Sequence, residues 1–255
     1  MNALAYGMPG KGSAQGNMNV FVLLVAAVPA LLFCLLRYER YQMSFAQMLG
    51  VWSSFILSGM LGAVLVQFLM NGSLAGKRLY GLMLADTLLL LLGSRLFKKN
   101  ICELGDYISV PTMAGCCFSK LDCLRDGCCY GLVLYQPEMQ QPVRFPSAVV
   151  EMTLWAGIVI VLLVLENKQR MKGKLWPLAM IWFGFFRYVT DFLRGSPLEK
   201  EVFLLHMPGG QFWSLIVLLL GVALLYATMR YQLKRPVRIR EFLRNIVGLD
   251  EKVEM

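Results

Sequence analysis

Long unbroken apolar blocks dominate this chain and restrict what it can fold into more than any other feature. Six stretches stand out: Asn19–Leu36, Phe45–Met70, Leu79–Phe97, Phe145–Leu165, Leu175–Leu193 and Phe212–Met229. Each supplies about the 20 residues needed to cross roughly 30 Å of hydrocarbon as a helix. They are apolar on every side rather than striped, so no soluble surface would cover them. Composition agrees: 57% of residues are hydrophobic and 16% charged, against about a quarter charged in a soluble domain. An all-α, polytopic membrane protein is expected.

Basic residues decide how the blocks thread. One set follows the first block (Arg37, Arg40), the third (Arg95, Lys98, Lys99), the fifth (Lys168 to Lys174) and the last (from Arg230), and holds 16 Lys and Arg. The opposite set is Lys11, Lys77, Arg78, Lys120, Arg125, Arg144, Arg194 and Lys200, only 8. The positive-inside rule puts the richer set in the cytoplasm. Both Arg95–Lys99 and Lys168–Lys174 can lie inside only if the more polar segment Ile101–Phe118 also crosses, sheltered by other helices. The expectation is seven spans, with the amino terminus outside and the carboxyl terminus cytoplasmic.

Three regions result: an extracytoplasmic segment 1–18, a transmembrane domain 19–229 and a basic cytoplasmic tail 230–255. The first 17 residues are polar and glycine-rich, without the pattern of a cleavable signal peptide. The tail reads as a solvated end or as a helix lying on an anionic leaflet. A net charge of +9 follows from this loop asymmetry, so no nucleic-acid partner is expected.

Charges within the spans mark candidate sites, because a charge at membrane depth costs several kcal/mol unless paired or solvated. In "LWPLAMIWFGFFRYVTDFLRG", Arg187 and Asp191 are four residues apart and can pair on one helix face, with Gly184 and Arg194 a turn to either side. A salt bridge pinning this helix to a neighbour is the structural alternative. Arg194 adds a second guanidinium, and a net cationic surface suits a phosphate. Asp86, among leucines, reads as structural. Glu151, near the outer end of its span, is a further candidate.

Five of the seven cysteines fall in "GCCFSKLDCLRDGCCYG", Gly115–Gly131. Their spacing departs from paired C-x2-C zinc ligation and no histidine is near, so no metal is expected. A disulfide is chemically allowed on the outer side. Compact apolar packing of several thiols, with Gly127 and Gly131 permitting close approach, is the third reading.

Five motifs in order resemble the prolipoprotein diacylglyceryl transferase family, in a divergent, cysteine-rich form. "SKLDCLRDGCCYG" resembles its glycine-rich signature, with Lys120 for the signature arginine and Cys123 for the common asparagine. "GKRLYGLML" is similar to another family stretch, with Tyr80 where many members carry histidine. "RFPSAVVE" keeps Arg144, Pro146, Ser147 and Glu151 of a third. "FGFFRYVTDFLRG" places Arg187, Asp191 and Arg194 on the family's charged positions, and "GGQFWSL" matches at Gly210, Gln211 and Ser214.

The resemblance implies a transferase of the bacterial plasma membrane. It would move diacylglyceryl from phosphatidylglycerol to the lipobox cysteine thiol of a lipoprotein precursor, without a cofactor. Arg187, Arg194 and Lys120 would clamp the phosphate and Asp191 would fix the arginines. Arg125 would help from the rim, while Arg144, Gly127, Gly131, Cys123 and Gln211 would line the substrate site. Tyr80 or Glu151 would serve as general base. The changed residues leave room for a different acceptor, or for a lipid- or lipopeptide-binding protein without turnover.

Overall fold

The computed structural model describes residues 20–72, 79–97, 99–126, 131–135, 143–194, 202–204 and 207–231. The expectations for residues 1–18, for Gly127, Cys128 and Cys129, and for the tail beyond Tyr231 lie outside them.

Seven helices make up most of the described chain: α1 (Val20–Arg37), α2 (Phe45–Asn71), α3 (Leu79–Leu96), α4 (Ile101–Asp126), α5 (Ser147–Glu166), α6 (Leu175–Phe192) and α7 (Gly209–Tyr231). Two small antiparallel pairs, β1 (Val133–Tyr135) with β2 (Val143–Arg144) and β3 (Val202–Leu204) with β4 (Met207–Pro208), lie between α4 and α5 and between α6 and α7. Helices α2, α5 and α7 are long and apolar enough to cross a membrane, and α1 and α3 contain shorter apolar runs. Their outward faces carry large exposed apolar side chains such as Leu57, Leu61, Leu88, Ile160 and Leu219, as expected of a protein that membrane lipid surrounds.

Local chemistry sets the boundaries. Ser44 and Gln47 form a reciprocal capping box at the start of α2, with Gln47 N donating to Ser44 Oγ at 3.2 Å and Ser44 N to Gln47 Oε1 at 3.0 Å. Gly72, at φ 64°, ends the helix by donating to Phe68 O. Helix α6 starts where Asp106 of α4 accepts hydrogen bonds from Gly173 N and Leu175 N, occupying amides that the first turn leaves unpaired. Hydropathy places the end of the fourth block at Phe118, but α4 continues to Asp126. Ser119–Asp126 are polar and still helix-compatible, so the apolar run stops before the helix does.

The main packing pairs are α6 with α7, α2 with α3, α1 with α4 and α4 with α5. Helices α2 and α3 cross at Gly62 and Gly81, where a Cβ on either would strike the other's backbone. That contact holds the first turn of α3, and with it Tyr80. Gly184, three residues before Arg187 on α6, packs against Ser214 and Leu218 of α7. The core between the helices is filled by Trp155 stacked on Phe183, with centroids 4.8 Å apart, and by buried Met48, Met83, Met113 and Met180.

One end of the bundle, where α1 and α5 finish and α4 and α6 begin, is tied by Arg37. Its guanidinium pairs with Glu166 at 2.6 Å and donates to the carbonyls of Asp106 and Tyr107. Tyr41 donates to the same carboxylate at 2.7 Å, and burial holds its phenol well above the ordinary tyrosine range, so it stays a proton donor.

Candidate active site

At the opposite end, α3, α5 and α7 begin and α4 and α6 finish. Helices α3, α4, α5 and α6 each contribute a polar side chain to one buried cluster, and the start of α7 packs beside it through Gly210. Glu151 is at its centre, one turn into α5 and fully buried. Lys120 Nζ from α4 and Arg187 Nη1 from α6 form close ion pairs with its two oxygens. Arg194, just past the end of α6, brings Nη1 to 3.6 Å. Thr190 Oγ1 adds a hydrogen bond to Glu151 Oε1 at 3.3 Å.

Tyr80 completes the setting of Arg187. Its Oη accepts from Arg187 Nε at 3.2 Å and Nη2 at 3.1 Å, and the guanidinium carbon lies 5.5 Å from the ring centroid. Guanidinium can only donate. The phenol hydrogen is therefore directed elsewhere and can be offered to another acceptor.

Lys120, Arg187 and Arg194 are each about 95% buried, and Glu151 is buried completely. Three buried cations around one carboxylate would repel one another without it, so Glu151 makes the cluster possible. Counting Asp191, which is buried on α6 with its carboxyl against Gly210 of α7, these five described side chains carry one positive charge in excess. That excess, with guanidinium groups among the cations, favours a phosphate or other oxyanion.

The backbone around the cluster is fixed as well. Gly131 N donates to Phe145 O at 2.9 Å and Leu132 N to Leu193 O at 3.0 Å, and Gly131 bridges to Arg194. A Cβ on Gly131 would collide with the Phe145 carbonyl, so only glycine lets the β1–β2 hairpin lie against the end of α6. Arg144, half-buried on β2, reaches the Gly131 carbonyl at 3.5 Å. Gln211 is buried in the first turn of α7, Cys123 lies one turn beyond Lys120, and Arg125 is exposed at the tip of α4.

The structure thus gathers Lys120, Tyr80, Glu151, Arg187 and Arg194, with Asp191 and Gln211 close by in the chain fold. Glu151 is a carboxylate that ion-pairs with Arg187 across helices, in addition to the i, i+4 relation to Asp191 that the sequence offers. Lys120 and Arg194 approach the same carboxylate. Thr190 was not singled out by sequence, although its place three residues after Arg187 puts it on the same helical face. Cys116 and Cys117 are buried on α4 and are not joined to another cysteine; Cys117 Sγ packs on the Met152 carbonyl at 3.4 Å. They serve as compact apolar residues where α4 meets α5.

Comparison with known proteins adds independent information. Residues 9–227 match the profile of the family described as prolipoprotein diacylglyceryl transferase. A phosphatidylglycerol–prolipoprotein diacylglyceryl transferase 2 of Clostridium perfringens (strain 13 / Type A) is 29% identical over 160 residues, 58% of this chain and 61% of the relative. The phosphatidylglycerol–prolipoprotein diacylglyceryl transferase of Idiomarina loihiensis is 23% identical over 158 residues, 59% of each chain. The chain spans about three-fifths of the length of these curated relatives. With the match running through all seven helices, the chain belongs to the prolipoprotein diacylglyceryl transferase family.

Proposed function

We propose that this protein transfers the diacylglyceryl group of phosphatidylglycerol to the thiol of a lipobox cysteine in a lipoprotein precursor. The carrying observation is the convergence of Lys120, Arg187 and Arg194 on the buried Glu151. The sulfur of the acceptor attacks the glyceryl carbon, a carbon–sulfur bond forms and the carbon–oxygen bond to phosphate breaks. Glycerol phosphate leaves with the bonding electrons, and the thiol proton passes to solvent or to a nearby base. The three cations stabilise the departing phosphate as charge develops on it. They also favour the thiolate form of the incoming cysteine, which is the nucleophile.

Within this reading Glu151 holds the cations in place, and Tyr80 orients Arg187 while pointing its hydroxyl toward the acceptor or the phosphate. Asp191 fixes the end of α6 against α7. Arg125 and Arg144 form a cationic rim that draws the anionic headgroup in, and Cys123, Gln211, Gly127 and Gly131 shape the space beside it. All seven helices cross the membrane of a bacterial cell in this proposal, with the cluster in the extracytoplasmic half. Arg37, Arg40, Lys99 and Lys174 at the far end of the bundle support a cytoplasmic placement there.

The test is to reconstitute the purified protein in phosphatidylglycerol liposomes with a lipobox peptide and weigh the product. A diacylglyceryl increment on the peptide cysteine is expected. No increment, with lipid still consumed when another thiol or hydroxyl acceptor is supplied, would favour the second reading. Lys120 and Tyr80, which replace the family's usual arginine and histidine, point to that changed acceptor.

A further inference from the structure

A second site lies on the other side of α3 and α4 from the cationic cluster. A cavity of about 120 Å³ runs between α1, α2, α3 and α4. Its walls are apolar: Ala30 on α1, Trp52 and Phe55 on α2, Leu82 on α3 and Ile108 on α4. Its rim includes Leu79 and Ser119, the chain neighbours of Tyr80 and Lys120. The cavity therefore ends beside the cluster.

One group breaks this apolar lining. Asp86 lines the cavity, is 2% exposed, and its Oδ1 has no hydrogen-bond partner among the described residues. The hydroxyls of Ser58 on α2 and Thr112 on α4 reach the carboxyl, but the second oxygen is left open. An unpaired carboxyl oxygen buried among apolar side chains is costly, and a ligand that donates to it recovers that cost. The site accepts an alkyl chain along most of its length and a hydrogen-bond donor at one depth.

That depth is informative. Asp86 is six residues, about 9 Å, along α3 from Tyr80. A donor there belongs to the chain of a lipid rather than to its headgroup. We infer that the α1–α4 cavity binds an acyl chain carrying a hydroxyl, with Asp86 Oδ1 accepting from that hydroxyl. Only the placement of the lipid's phosphate end rests on the function proposed above; the recognition of the chain does not.

The experiment measures binding rather than turnover. Native mass spectrometry of the full chain in detergent is titrated with phosphatidylglycerol bearing either plain myristoyl or 3-hydroxymyristoyl chains, and with free myristate and 3-hydroxymyristate. The wild-type protein is expected to bind the hydroxylated form about tenfold more tightly, the worth of one hydrogen bond to a buried carboxyl. Asp86→Leu should bind plain and hydroxylated lipids equally, and Asp86→Asn should keep part of the preference. If Asp86→Leu does not fold, Ala26→Trp, which fills the cavity from α1, should weaken both chains.

Preference in the free acids as well as the phospholipids assigns recognition to the chain alone, and preference only in the phospholipids assigns it to a chain delivered by the headgroup. Both outcomes support the site. No preference in the wild-type protein, or one that survives Asp86→Leu, overturns it, as does unchanged binding in Ala26→Trp. Arg187→Gln separates the two proposals: it should weaken both phospholipids alike and leave the hydroxyl preference. If it weakens neither, the phosphate clamp fails while the cavity stands.

Discussion

Replacing Glu151 by glutamine would test the cluster at its centre. The change keeps the shape of the side chain and removes the carboxylate shared by Lys120, Arg187 and Arg194. At the 3.6 Å separation of Arg194, one opposite-charge pair is worth about 5 kcal/mol at an effective dielectric of roughly 20. Desolvation offsets much of that, but breaking a buried pair still costs about 3–5 kcal/mol because the partner charge is left uncompensated. For a chain of this size that corresponds to a fall of roughly 10 °C in the melting temperature.

The assay is thermal unfolding in detergent followed by tryptophan fluorescence, with and without inorganic phosphate. Glu151→Gln should melt well below the wild type, and millimolar phosphate should restore more stability to the variant than to the parent, since an anion replaces the missing carboxylate. A compensating Lys120→Met in the same chain should cost less than the sum of the two single changes. Unchanged melting in Glu151→Gln, or no selective rescue by phosphate, would refute the reasoning.

Other perturbations read separate parts of the account. Tyr80→Phe removes the acceptor for two buried Arg187 N–H groups and should slow transfer about tenfold while costing about 1–3 kcal/mol of stability, measured as peptide lipidation rate and melting temperature. Gly131→Ala places a methyl against the Phe145 carbonyl and should cost about 1–3 kcal/mol, visible as a lower melting temperature together with loss of activity. Glu166→Gln at the opposite end leaves the buried Arg37 without its partner and should destabilise by about 3–5 kcal/mol. Its surviving folded protein should turn over at the normal rate, since Arg37 and Glu166 lie far from the cations.

Much of the architecture is legible in the chain because hydrophobicity is a one-dimensional signal. Phe45–Met70 appears as a candidate span with the same limits, and α6 begins at Leu175 as its apolar run does. Boundaries shift where helix and hydropathy part company, as at Ser119–Asp126 of α4 and Gly209–Gln211 of α7. The short strands escape notice because two- and three-residue ladders leave no alternation to detect.

The charged residues of the site are visible for a similar reason: a membrane span tolerates few of them. Their pairing is not. Spacing along a helix brings Arg187 and Asp191 together, whereas Glu151 reaches Arg187 from 36 positions away and Lys120 from 31, through the packing of α4, α5 and α6. Asp86 reads as structural by sequence because its neighbours in the chain are apolar. Only the arrangement of four helices turns its surroundings into a cavity.

The most direct measurement of the central claim is glycerol phosphate released per acceptor peptide modified, in phosphatidylglycerol liposomes, for the wild type and for Arg187→Gln. One glycerol phosphate per lipidated cysteine is expected from the wild type. Arg187→Gln should release at least about 100-fold less while inserting normally, the usual scale for removing one preorganised charge-stabilising donor. Release by Arg187→Gln at the wild-type rate would contradict the account.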